Sequence, residues 1–410
     1  MKILYVSQYF PPEIAAPAAR VAELSRSWAA EGHEVSVVTG FPNHPTGQIP
    51  PEYRWKFRRF LMRDDRDGVK VYRTWLIPLP NRRSWERICN YASFALSAAF
   101  RGVFLTRSDV VIATSPQLLV GLSGLFIAKC RRIPFVFEVR DLWPESLEAV
   151  GVSRKKSLLV WALGKVSGLL YRKATRIVVV TYSFKAHLEK VWRVPSSKIS
   201  VIMNGVDHEL FRPEEAKEEI IREFHLKNRF IIAYIGTIGN AHGLETLVSV
   251  AEMLAVADPN VLLLVVGEGA EKESFQRTIE KKNLQNIRVL PAQPRAKIPA
   301  LLAASHICLV LLKKSELFKT VLPTKMLEYM SSGRPIISTV QGESAALLEE
   351  ANAGICVEPE RPDVLYHAIC QLRTDSALRE RLGNNGRSFI VSRLTRERTA
   401  ARYLALLERT

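Results

Sequence analysis

Cysteine is scarce and scattered in this chain. Among 410 residues there are five, Cys89, Cys130, Cys308, Cys356 and Cys370, and no two form a C-x-x-C pair. An odd, dispersed set argues against a disulfide framework and a clustered zinc site, and suits a reducing, cytoplasmic compartment. Long apolar runs are missing too: nothing approaches the roughly 20 residues of a membrane-spanning helix. The opening MKILYVSQYF passes directly into a strand pattern, without the apolar core and small-residue cleavage site of a secretion signal. No D-x-D triplet of the metal-binding kind stands in a suitable loop, so no metal is expected. Asp64-Asp65 falls in a charged run, Arg63 to Asp67, that reads as a solvated turn. Acidic residues are short in one half only. Residues 1–200 hold 31 Lys and Arg against 15 Asp and Glu, whereas the other 210 hold 27 against 26. Nearly all of the +17 net charge therefore lies in the first half. That half should meet something anionic: nucleic acid, an acidic membrane surface or a phosphorylated substrate.

What is present is a βα rhythm. Short β-branched runs at 2–7, 34–39, 69–73, 109–114, 134–139, 176–181 and 199–203 alternate with amphipathic stretches near 18–31, 86–107, 117–131, 157–173 and 183–191. Repeated βα units with short loops predict a parallel sheet covered by helices on both faces. The turn Asn204-Gly205-Val206-Asp207 and the charged linker after Phe211-Arg212-Pro213 interrupt the pattern. It then restarts with strands at 229–235, 261–266, 287–290, 307–311 and 335–339, and ends on helices near 376–391 and 395–408. The length exceeds what one core comfortably holds. The expected fold is α/β, with two doubly wound domains: 1–206, 207–392, and a terminal helix, 393–410, that could return to the first. Ligands of open α/β sheets sit beyond the carboxyl ends of the strands, which points to a cleft between the two domains.

Several segments carry potential chemistry. In KTVLPTKMLEYMSSG, Lys319 to Gly333, Pro323 suits the first helical turn and Gly333 the end. Thr324, Lys325 and Glu328 share one face, while Met326, Leu327 and Met330 would pack inward. Free amides, a threonine and a lysine at a helix N-terminus attract phosphate. A glutamate one turn on can accept two bonds from a vicinal diol, and phosphate plus diol describes a nucleotide. A merely solvated amphipathic helix is the alternative. Glycines at strand ends, in Gly236-Thr237-Ile238-Gly239-Asn240-Ala241-His242-Gly243 and at Gly267, let backbone approach a phosphate or simply make tight turns. The spacing is not the dinucleotide fingerprint. In the first half, Gln8 to Glu13 leads into a small-residue loop with Ala15 and Ala16, and FPNHPTG follows the second strand. Arg140-Asp141-Leu142-Trp143-Pro144-Glu145 follows strand 134–139 and suits sugar handling, the indole packing on C–H groups and the carboxylates accepting hydroxyl protons. A solvated loop with a structural ion pair is the plain alternative.

Taken together, YVSQYFPPE, FPNHPTG, VRDLWPES, VIMNGVDHELFRP, YIGTIGNAHGLETL, VVGEGAEK and LFKTVLPTKMLEYMSSGRPII resemble, in this order and over the whole chain, the retaining glycosyltransferases of family 4. These have the two-Rossmann GT-B architecture. Within the family the chain is most similar to the N-acetylfucosaminyltransferase-like enzymes of O-antigen, capsule and colanic-acid assembly. The resemblance implies that Glu328 matches the second glutamate of the E-x7-E motif and holds the donor ribose. It places Thr324 and Lys325 at the diphosphate, and Ala292 and Gln293 against the base. Asp141 falls beside the position of the active-site histidine, which is Arg140 here. Other departures are Thr320 for the first glutamate, Thr237 and His242 for the phosphate-binding Arg and Lys, and Ala15 and Ala16 for a glycine pair. Lys319 or Lys325 is then expected to neutralise the leaving diphosphate, with Arg140 and helix-terminal amides. Asp141 or Glu145 would orient a sugar.

The expected activity is transfer from a UDP-sugar, an N-acetylated amino or deoxy sugar, to a polyprenyl-diphosphate-linked saccharide, without cofactor or metal. The basic half suits an anionic inner-membrane surface. Arg54, Lys56, Arg58, Arg59, Arg63, Arg82, Arg83 and Arg87 are interleaved with Tyr53, Trp55, Phe57, Phe60, Trp75 and Trp85. The stretch 91–106 could be a core helix or an interfacial one. A sugar-nucleotide epimerase or hydrolase on the same fold is the competing enzyme class. A nucleic-acid-binding protein is suggested by charge alone, since no reading motif is present.

Overall fold

The structure is a computed structural model that describes residues 1–13, 16–44, 46–80, 83–105, 107–145 and 158–410. The chain divides into two compact units, Met1–Asn204 with Arg396–Thr410, and Gly205–Thr395.

Unit 1 carries strands β1 (Lys2–Val6), β2 (Glu34–Gly40), β3 (Leu61–Arg66), β4 (Val69–Thr74), β5 (Val110–Thr114), β6 (Phe135–Val139), β7 (Arg176–Val179) and β8 (Ile199–Val201). Its helices are α1 (Ala16–Ala30), α2 (Pro51–Phe57), α3 (Ser84–Val103), α4 (Leu118–Arg131), α5 (Leu158–Lys173) and α6 (Tyr182–Lys190). The sheet order is β3-β4-β2-β1-β5-β6-β7-β8. All pairs are parallel except β3 with β4. The central strands are buried on both faces, which is why they read as unbroken apolar runs such as VVIAT and FVFEV.

Unit 2 carries β9 (Phe230–Ile235), β10 (Val261–Val266), β11 (Ile287–Leu290), β12 (Ile307–Val310), β13 (Ile336–Ser338) and β14 (Gly354–Cys356). Its helices are α7 (Glu218–Glu223), α8 (Glu245–Ala257), α9 (Lys272–Lys281), α10 (Ile298–Ala303), α11 (Thr324–Ser331), α12 (Glu343–Glu350), α13 (Pro362–Thr374) and α14 (Ser376–Arg393). The order β11-β10-β9-β12-β13-β14 is the doubly wound 3-2-1-4-5-6 arrangement. Its topological switch falls between β9 and β12. Unit 1 switches in the same way between β1 and β5, so the loops after these four strands are where each sheet binds ligands.

The final helix, α15 (Arg396–Leu407), belongs to unit 1 and packs on α1. Trp28 Nε1 donates to the Ala400 carbonyl at 3.0 Å, and the Trp28 and Tyr403 rings meet edge-on. Arg396 pairs with Glu23.

One expectation needs correction. The charged run Arg63–Asp67 is mostly strand, with the turn confined to Asp67-Gly68. Along β3, Met62 is buried and Asp64 and Arg66 are half-buried, while Arg63 and Asp65 face water. This alternation is that of a strand with one face to water, and the sheet order puts β3 at the edge, where charge discourages pairing with other chains. The two readings left open for the stretch 91–106 meet in α3, which is core and surface at once. Phe94 and Ala98 are fully buried, but Leu96, Phe100 and Phe104 are 74, 70 and 67% exposed.

Candidate active site

In unit 2 the site grows from the end of β9. Gly236 follows this strand directly, and a Cβ added there would lie 2.4 Å from Lys325 Nζ. A Cβ at Gly267, after β10, would lie 1.8 Å from the Gly236 carbonyl oxygen. Gly267 therefore requires glycine, because backbone lies against it, whereas at Gly236 the neighbour is a flexible lysine end and the φ of +155° is what favours glycine. The space left by the missing side chain at Gly236 is filled by the Lys325 ammonium. Its Nζ sits 4.0 Å from the centre of the Tyr234 ring and is buried without a hydrogen-bond partner. The Tyr234 hydroxyl donates to the Thr237 carbonyl at 2.7 Å, fixing the ring and the loop together.

Burial lowers the Lys325 pKa to about 7, against the opposing pull of Glu328. An unpaired buried ammonium is costly in a folded chain, and such groups concentrate at functional sites. His242 is lowered to about 4, first by burial and then by the Lys325 charge, with its bond to Gly239 opposing. Its Nδ1 lies 3.3 Å from the Gly239 carbonyl, so the neutral ring donates there and presents Nε2 as an acceptor. A neutral imidazole of that tautomer offers no charge to an anion.

Lys325 is aimed by α11. Met326, Leu327 and Met330 are buried, as the periodicity predicts, and Gly333 ends the segment at φ +65°. The helix begins at Thr324, which is exposed, with Pro323 at the cap position. Glu328 shares this face, and its Oε1 lies 3.0 Å from Arg295 Nη2. The Arg295 guanidinium in turn lies over the Phe211 ring at 5.1 Å. Arg295 follows Ala292 and Gln293, of which Ala292 is exposed and Gln293 half-buried, its amide donating to the Pro291 carbonyl. The Ala292 N–H points to Glu268 at 3.4 Å. Thr237 is exposed and Gly239 half-buried on the same loop.

Lys319 takes a different place. Its ammonium pairs with Glu316 at 2.7 Å, whereas Lys325 holds the strand-end position. Lys313 is a cation that sequence reasoning missed. Its Nζ donates to Asn240 at 2.7 Å and lies 3.5 Å from Glu245, bracing the Gly236–Gly243 loop against the end of β12.

In unit 1, Ser115 after β5 organises the loop after β6. The N–H groups of Arg140 and Asp141 both donate to Ser115 Oγ, at 2.7 and 3.3 Å. Burial raises Asp141 to about 6, with Arg140 opposing. Arg140 faces a buried network. Glu138 accepts from Tyr5 at 2.6 Å and from Arg20 at 3.0 Å, and Arg20 continues to the Met203 and Ile202 carbonyls and to Asn204. Burial and then the like charge of Arg20 lower the Arg140 pKa, and Glu138 supports it. Its Nη1 is buried with no hydrogen-bond partner.

Glu145 is engaged elsewhere. Its Oε1 contacts His187 Nε2 at 2.8 Å and accepts from Trp192 Nε1 at 3.2 Å, which ties the loop to α6 and the segment after it. The carboxylate expected to orient a sugar thus serves at Oε1 as a tether. Ala15 and Arg82 lie outside the described residues, and Ala16 opens α1.

Glu13, beyond β1, is the group that sequence reasoning underrated. It is 7% exposed, and its Oε1 accepts from the Asn43 and His44 N–H groups at 3.0 and 3.1 Å. Burial raises it to about 7 despite those bonds and the nearby Arg73. Its Oε2 makes no hydrogen bond. The signal was available in principle, since Glu13 and FPNHPTG both follow strands that pair centrally.

Two open α/β units, each with charged groups gathered at its switch point and one with a lysine beside a glycine turn, have the form of a ligand-binding α/β protein. Residues 16–205 match the Glycosyl transferase 4-like domain, and residues 216–389 match Glycosyl transferases group 1. The chain belongs to the glycosyltransferases of this two-domain family. It is 26% identical over 395 residues to the putative colanic acid biosynthesis glycosyl transferase WcaI of Escherichia coli, covering 90% of this chain and 92% of WcaI. With the probable glycosyltransferase WbjE of Pseudomonas aeruginosa it shares 24% over 276 residues, 66% of this chain and 68% of that one. The fold is GT-B. Sucrose-phosphate synthase from Thermosynechococcus elongatus superposes with a TM-score of 0.79 at 18% identity, covering 100% and 98% of the two chains. Anabaena HepE, solved in complex with UDP-glucose, superposes at 0.74 and 14% identity over 100% of both.

Proposed function

We propose that the protein transfers a sugar, with retention, from a UDP-linked donor held by unit 2 to a polyprenyl-diphosphate-linked saccharide held by unit 1. The reaction would belong to cell-surface polysaccharide assembly, and the donor sugar would be an N-acetylated amino or deoxy sugar. The observation that carries the reading is the buried, unpartnered Lys325 ammonium against the Gly236 turn. A diphosphate placed there gains a cation that has no other hydrogen-bond acceptor. The backbone N–H groups that open α11 add to that attraction. Glu328 accepts from the two ribose hydroxyls and shares Arg295 with them. The colanic acid biosynthesis in the name of WcaI supports polysaccharide assembly, and the UDP-glucose complex of HepE supports a UDP-linked donor.

In this proposal the donor C1–O bond breaks and the electron pair leaves with UDP, whose new charge meets Lys325 without a metal. The acceptor oxygen forms its bond to C1 on the same face, and its proton passes to the departing phosphate. Asp141 orients the sugar hydroxyls and is ionised above about pH 6. The exposed Leu96, Phe100 and Phe104, with Trp55 and Phe60 among exposed Arg54, Lys56, Arg58 and Arg59, suit peripheral attachment to an anionic cytoplasmic leaflet. No nucleic-acid partner is proposed.

A panel of UDP-, GDP- and dTDP-sugars, with and without lipid-diphosphate-saccharide acceptor, tests the reading. UDP release that requires the acceptor is expected. Release independent of acceptor would instead indicate a sugar-nucleotide hydrolase. Sedimentation with vesicles tests the attachment: anionic vesicles should capture the protein at least about tenfold better than neutral ones, and equal capture would refute it.

A further inference from the structure

A groove of about 270 Å³ runs across unit 1 between α3, the start of α4 and α5. Its wall is almost wholly hydrocarbon: Ile88, Leu118, Leu119, Leu159, Leu163 and Val166. Of the eleven residues lining it, Arg87 is the one that carries charge. A pocket of that composition favours an apolar chain over a sugar, which would leave its hydroxyls without partners.

Its position narrows the occupant. Pro116 and Trp143 form part of the lining. Pro116 directly follows Ser115, the hydroxyl that holds Arg140 and Asp141, and Trp143 lies two residues beyond Asp141. Tyr91, also in the lining, is near enough to the Tyr9 hydroxyl, in the loop that leads to Glu13, to help raise its pKa, after burial. The groove therefore borders the candidate site of unit 1. Around it the surface is apolar and cationic: Trp85, Ile88, Leu158 and Trp161 are 53, 48, 79 and 62% exposed, and Lys165 lies over the Trp161 ring. Cations beside an apolar trough match a molecule with an anionic head and a hydrocarbon tail.

We propose that this groove holds the first part of the hydrocarbon chain of the lipid-diphosphate acceptor, with the diphosphate end towards Arg87 and Arg140. The inference rests on the reading that the acceptor is lipid-linked, and it adds the site where the lipid is recognised. Chain recognition here is separate from the attachment of the outer α3 face to a bilayer. It should therefore persist with a soluble, short-chain lipid.

The test uses farnesyl diphosphate as the probe, with inorganic diphosphate as its chainless counterpart, on the whole protein in detergent-free buffer. Burial of several methylene groups should make farnesyl diphosphate bind at least about 30-fold more tightly than diphosphate. Ile88→Asp, at an exposed position, and Leu163→Trp, which fills the trough, should each cut that advantage below about fivefold. Both should leave UDP affinity at unit 2 unchanged, and an unaltered circular dichroism spectrum and thermal transition report that unit 1 still folds. An advantage absent in wild type, or intact in both variants, would overturn the proposal. So would a change in oligomeric state with Ile88→Asp and undisturbed farnesyl binding, which would mark the groove as a contact between two copies. The groove and the function fail separately. Tight, variant-sensitive farnesyl binding without transfer to any lipid acceptor would leave the groove standing and remove the acceptor reading. Transfer to lipid acceptors with KM values unmoved by either variant would do the reverse.

Discussion

Replacing Lys325 with Ala is expected to lower kcat by about two to three orders of magnitude, as loss of one preorganised group that meets transition-state charge does elsewhere. The donor KM should change much less. The reasoning starts from the desolvation of the ammonium. A pKa brought from 10.5 to about 7 reports a cation that the folded protein solvates poorly. At about 1.4 kcal/mol per unit, the mismatch is on the order of 5 kcal/mol. A bound diphosphate removes part of it, and a diphosphate gaining charge as the C1–O bond breaks removes more. That difference between ground and transition state is what raises kcat. His242 cannot substitute, because burial, the larger cause of its lowered pKa, persists when Lys325 is removed. Steady-state kinetics with a UDP-sugar and acceptor would check this, and a kcat within threefold of wild type would remove Lys325 from the mechanism.

Glu328→Ala should act on binding. Two hydrogen bonds from a ribose diol to a carboxylate, each worth roughly 1.5–3 kcal/mol net, are present before and during reaction. Their loss is expected to raise the donor KM by at least about 100-fold with kcat within a few-fold of wild type. A second consequence follows from the coupling of Glu328 to Lys325. Since the carboxylate charge supports the ammonium, the variant should also shift the kcat pH profile to lower pH. Unchanged donor KM would sink the ribose assignment. Arg295 supplies a control. With its 3.0 Å contact to Glu328 lost in Arg295→Ala, KM should rise less than in Glu328→Ala, because the carboxylate remains.

Much of the fold can be read from the residues because parallel strands buried on both faces have no alternative appearance. VLLLVV at β10 and VVIAT at β5 are continuous apolar runs of strand length. β3 escaped because LMRDDR is an edge strand, whose charges sit where pairing is to be avoided, and charge is also what a turn shows. The face shared by Lys325 and Glu328 follows from helical spacing alone. Which lysine enters the site does not. Lys319 and Lys325 are alike in composition and neighbourhood, and the choice depends on a vacancy at Gly236, nearly 90 residues upstream in the chain. Long-range partners are hidden for the same reason. Nothing near Glu145 announces His187 and Trp192, nothing near Glu328 announces Arg295, and the burial of Glu13 depends on the loop after β2. The stretch of α3 posed a choice between core and interface that the structure dissolves. One face carries Phe94 and Ala98 inward, and the other carries Leu96 and Phe100 outward.

The most direct measurement of whether Lys325 meets the diphosphate is proton uptake on UDP binding, by calorimetry at pH 8 in two buffers of different protonation enthalpy. The sign follows from the lowered pKa. Below about pH 7 the free ammonium is already charged and binding needs no proton, whereas above it the neutral amine must be protonated as the anion arrives. UDP affinity should therefore fall as pH rises above 7. At pH 8 the wild type should take up about one proton per UDP, and Lys325→Met should take up none. UDP binding with no proton uptake by the wild type, or with the same uptake by Lys325→Met, would contradict the assignment of Lys325 to the diphosphate.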